Sequence, residues 1–103
     1  MEFIEAQIQE AIEALEREMP GAWQQMVNQA LGVYTNVDIE REVARSCAHA
    51  MITAFHDLPL VRDSADPYDA KYKLMFAVQG AALKEAERQN RQSVPGQACK
   101  TAT

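Results

Sequence analysis

His49 and His56 are the only histidines of the chain and its first candidates for acid–base or metal chemistry. Their spacing of seven returns them to nearly the same face of a helix, on a polar stripe that also carries Glu42, Arg45, Ser46 and Thr53. For a shared metal ion the separation is wrong. Seven residues at 1.5 Å rise set the two backbones roughly 10 Å apart, whereas helical zinc pairs sit three or four residues apart so that both rings meet one ion. No metal and no cofactor is expected. Ser46 and His49, three residues apart, have the spacing of a nucleophile and its base, but nothing in the sequence supplies an oxyanion hole or a water-excluding pocket. There is no P-loop, no glycine-rich nucleotide turn and no paired-cysteine motif. The stripe therefore reads as the solvated side of a core helix, and a protein without an active site is expected. The alternative is a small helical enzyme or ligand-binding protein that uses Glu42, Arg45, Ser46, His49 and His56, with the site lying at a dimer interface.

The second candidate is a charge pattern. Glu2, Glu5, Glu10, Glu13, Glu16 and Glu18 against Arg17 alone give residues 1–19 a net charge of -5, which is the whole formal charge of the chain. Such a segment would steer a basic protein surface toward it. On a helical projection Glu2, Glu10, Glu13 and Arg17 share the outer side, and Phe3 falls off the apolar stripe near them. These five residues are the expected partner-binding set of an adaptor or inhibitor that acts by occupying another macromolecule. The competing reading is that the glutamates only form helix and keep it soluble.

Direct nucleic-acid binding is argued against by the same charges. A recognition helix opening Val37-Asp38-Ile39-Glu40-Arg41-Glu42 would present carboxylates to phosphates, and the sequence pI of 4.9 offers no basic footprint. No apolar run reaches the roughly 18 residues that a membrane span needs. The amino terminus has no positive n-region or long apolar segment, so a cytoplasmic location is expected. Two cysteines, Cys47 in an apolar pattern and Cys99 in a polar tail, are too few for a disulfide framework.

These candidates need elements to hold them, and the length of 103 residues with 48% hydrophobic content suits one small domain with a single core. The periodicity predicts an all-α, four-helix domain over residues 1–91, with helices at about 2–19, 21–34, 36–58 and 67–91 and a flexible tail over 92–103. In the first helix Ile4, Ile8, Ile12, Leu15 and Met19 lie within about 40° of one line. This stripe approximates a heptad seam, so a homodimer through it is also open. Pro20 and Gly21 end it, and Trp23 is expected to pack the second helix back on the first as an antiparallel hairpin. Thr35 and Asp38 predict a capping box for the third helix, which is apolar over more than half its circumference. Leu58-Pro59 ends it, leaving 59–65 as a surface loop. Asp66, Pro67 and Asp69 then carry three separate preferences of a helix start. The expected core face of the last helix is Tyr68, Tyr72, Met75, Phe76, Val78, Ala82, Leu83 and Ala86. The third and last helices are expected to form the core pair.

Overall fold

The computed structural model describes residues 2–98, with side-chain surroundings from 2 to 91. It is all-helical, and no strand occurs among the described residues. The order is α1 (Glu5–Glu18), α2 (Ala22–Leu31), α3 (Val37–His56), α4 (Pro59–Arg62) and α5 (Pro67–Ala98). Of the tail expected over 92–103, residues 92–98 continue α5 and the remainder lies outside the described residues.

Helix α1 begins three residues later than its sequence pattern suggests. Ile4 takes extended backbone as the N-cap, and its N–H donates to the Gln7 side-chain oxygen at 3.0 Å. Ile4 is consequently 65% exposed instead of leading the apolar stripe. Ala11, Ala14 and Leu15 are buried, with Ile8, Ile12 and Met19 packed against the same cluster. The heptad-like seam is therefore used partly inside the domain, with Ile8 and Ile12 half-buried and Ile4 exposed.

Between α1 and α2 the chain bends at Pro20-Gly21, where Gly21 has φ of +90°, in the left-handed region that a residue with a Cβ rarely adopts. Glu16 holds the bend. Its Oε1 accepts from the Gly21 N–H at 3.0 Å and its Oε2 from the Trp23 N–H at 2.7 Å, satisfying two donors that a helix start leaves open. Replacing Glu16 with Ala is expected to lower stability by about 1–2 kcal/mol, the range of a lost helix cap. Glu16→Gln, which keeps one acceptor oxygen, should lose about half as much. Urea unfolding followed by circular dichroism measures both, and equal stability of all three proteins would remove the cap.

Helix α2 ends on Gly32, also left-handed at φ +76°, whose N–H donates to the Asn28 and Gln29 carbonyls. Asn36, not Thr35, caps α3. Its Oδ1 accepts from the Asp38 and Ile39 N–H groups at 2.9 and 3.1 Å, so the Thr35–Asp38 box does not form. Both residue types can cap, and with Asn36 in that place the helix starts at Val37. The expected loop after α3 contains the single turn α4, started by Pro59, which buries Val61 beside Leu58. Asp66 does cap α5, accepting from the Asp69 N–H at 3.1 Å.

The core is one cluster. Its largest fully buried members are Phe55, Leu15, Met51, Leu74, Val27, Val61 and Val78. The packing order differs from the expected core pair: α5 rests chiefly on α2, and α3 chiefly on α1, with α3 against α5 a lesser contact. The contact of α1 with α2 is slight, so the two do not form the expected hairpin. Short α2, with Ala22, Met26 and Val27 buried, thus lies between the long helices. This turns α5 about its axis relative to expectation. Ala70 and Leu74 face the core, while Tyr68, Phe76 and Leu83 are exposed.

Candidate interaction groove

The turned α5 leaves an open groove against α1, enclosing about 1070 Å³. Its first wall is Ile8 and Ile12 of α1 with Phe3, and Trp23 of α2 lies alongside. Ala77, Gly80 and Ala81 of α5 supply a second wall, and Lys73 and Phe76 line the groove beside them. Charge divides across it. Glu2 and Glu5 stand on the α1 rim, whereas Lys84, Arg88 and Arg91 stand on the α5 rim.

Of the expected partner-binding set, the structure brings Glu2 and Phe3 into this groove and leaves out Glu10, Glu13 and Arg17. Those three are exposed on the outer side of α1. Phe3 is not among them on the polar side. It precedes the helix in extended chain and packs half-buried against the core. The α5 rim was not singled out from sequence. Its signal is the run of cations Lys84, Arg88 and Arg91 toward the end of the last helix, where positive charge also suits the helix dipole.

Two of the cations on the α5 side already have partners. Lys73 Nζ lies 3.0 Å from Asp69 Oδ2. Arg88 pairs with Glu85, its Nε donating to Oε1 at 2.9 Å and Nη2 to Oε2. Arg88, with help from the Gln89 amide, holds the Glu85 carboxyl down at about 2. This folded value lies below the ordinary glutamate value of about 4.3. Whatever the pair adds to stability is therefore present above that ordinary value and fades as pH falls toward 2. A carbon-13 carboxyl titration should place the Glu85 midpoint well below the ordinary glutamate value. Arg88→Ala should raise it toward that value; a Glu85 midpoint that ignores this change would break the assignment.

The histidine stripe has a different character. Glu42, Arg45, Ser46 and His49 line a shallow depression with Glu18 and Met19, while His56 lies outside it at the end of α3. Both histidines are exposed, and Arg45 pairs with Glu42 at 3.3 Å in full view of solvent. Among the described residues no three His, Cys, Asp or Glu side chains gather as a metal site. Cys47 is a free, buried thiol whose Sγ lies 3.9 Å from the Ala22 carbonyl, and burial pushes its pKa up, away from the reactive thiolate. Cys99 lies outside the described residues.

The fold and this groove define a small all-α protein with a two-signed cleft along one long helix. Compared with protein-family models, with curated proteins and with solved structures, the chain finds no match in any of the three. Among the described residues no helix is long and apolar enough to cross a membrane.

Proposed function

We propose that this protein is a non-catalytic interaction protein, an adaptor or inhibitor of the cytoplasm, that seats an amphipathic segment of a protein partner in the groove between α1 and α5. The observation that carries the reading is the division of charge along an apolar trough: Ile8, Ile12, Trp23, Ala77 and Ala81 between the Glu2 and Glu5 rim and the Lys84, Arg88 and Arg91 rim. A helix laid in such a trough reads through an apolar stripe at i, i+3, i+4 and i+7. Its flanks would be basic toward α1 and acidic toward α5. That partner chemistry refines the basic surface expected from the charge of residues 1–19.

The absence of catalysis belongs to the same proposal. It is supported by the openness of the His49 depression and by the separation of His56 from it, since acid–base work needs groups converging in a sheltered site. The test reverses the α1 rim alone. Glu2→Lys with Glu5→Lys should abolish capture of partner protein by the immobilised chain, while Glu10→Lys with Glu13→Lys should leave it intact. Loss in the second pair and not the first would move the site to the outer face of α1.

A further inference from the structure

Gly80 sits in the interior of α5, where glycine weakens a helix by about 1 kcal/mol relative to alanine. The fold gives no steric reason for it. A Cβ built there would meet nothing within 4 Å. Around it runs the outward face of α5, with Phe76 70% and Leu83 56% exposed, three and four residues to either side. Two large apolar side chains flanking a bare stretch of backbone suit the close approach of another helix.

The charges on this face say which helix. Asp69, Lys73, Lys84, Glu87 and Arg91 are all exposed and lie within about 60° of Gly80 around the axis. Counted from Gly80, the signs on the two sides are opposite at equal distances. Asp69 and Arg91 stand eleven residues before and after it, and Lys73 and Glu87 stand seven before and after it. Phe76 and Lys84 stand four before and after, an aromatic ring and an ammonium that attract each other. A second α5 laid antiparallel across Gly80 would therefore set Asp69 against the partner's Arg91, Lys73 against the partner's Glu87, and Phe76 against the partner's Lys84. A parallel arrangement in register would oppose like charges at Asp69, Lys73, Lys84, Glu87 and Arg91.

We infer that the occupant of this face is a second copy of the chain, in a two-fold dimer whose α5 helices cross antiparallel at Gly80. The seam from residue 69 to 91 spans roughly 33 Å of helix. It shares Lys73, Phe76, Gly80, Lys84 and Arg91 with the lining of the groove, so a second copy and the proposed partner compete for one face of α5.

Sedimentation equilibrium of the full chain over a micromolar-to-millimolar range tests this. The wild type should reach a dimer in that range. Phe76→Ala should weaken it by about 30-fold, the loss expected for a central anchor. Gly80→Leu should abolish it while raising the helix content of the monomer, since the side chain enters open space in one copy and blocks the crossing of two. Lys73→Glu and Glu87→Lys should each weaken self-association by about tenfold. Mixing these two variants should restore a dimer of wild-type affinity, because each seam pair then joins opposite charges again. A wild type that stays monomeric, a dimer indifferent to Gly80→Leu, or a mixture no tighter than its components would each overturn the inference. Because the two uses share this face, partner capture is measured with the chain diluted below its dimer range, so failure of the groove and failure of the dimer are read separately.

Discussion

Phe55→Ala is expected to destabilise the fold by about 3–5 kcal/mol, whereas Phe76→Ala should change the monomer by less than about 0.5 kcal/mol. The contrast rests on burial. Phe55 is 0% exposed in the cluster that also holds Met51, Leu58 and Val61, while Phe76 is 70% exposed on α5. Removing the Phe55 ring forfeits its transfer from water and leaves a cavity that the surrounding helices can only partly close. A domain of this size is held by about 5–15 kcal/mol, so the variant would sit near the edge of folding. Urea titrations of dilute protein, followed by circular dichroism, measure both. Comparable losses at the two phenylalanines would mean that α5 is turned differently about its axis.

The second large effect concerns binding. Glu2→Lys with Glu5→Lys changes the local charge by four units on one wall of the groove and should abolish capture of the proposed partner. Both residues are exposed and near the chain start, so folding should be untouched. Glu10→Lys with Glu13→Lys makes the same change in net charge on the outer side of α1. The comparison therefore separates a positioned rim from general electrostatic steering, which depends on net charge and fades with salt. If both pairs abolish capture at low salt and neither does at high salt, steering accounts for the effect and the groove does not.

Much of the architecture could be read from the sequence because helix starts and stops are local. Asp66-Pro67 and Pro20-Gly21 act through their own backbone preferences, and the structure places helix boundaries at both. The facing of α5 was not local. Its apolar residues spread around most of the circumference, so periodicity could not say which of Leu74 and Phe76 faces the core. Leu74, left out of the expected core face, is 0% exposed. The groove was missed for the same reason, since it is the space left by that rotation. Phe3 stands apart from the outer glutamates because the sequence pattern projects it onto a helix that starts only at Glu5. Glu16 looked like one glutamate among six, and only the bend at Gly21 brings its two oxygens to α2.

That carboxylate also gauges the cleft. One of the two amides it grips belongs to Trp23, which stands in the groove beside Ile8 and Ile12. The angle at which α2 leaves the bend, and with it the clearance at that end of the trough, is fixed by a latch built into α1 itself. A guest wide enough to push Trp23 outward must stretch both hydrogen bonds together. The width of the trough at that end is thus tied to the turn at Gly21.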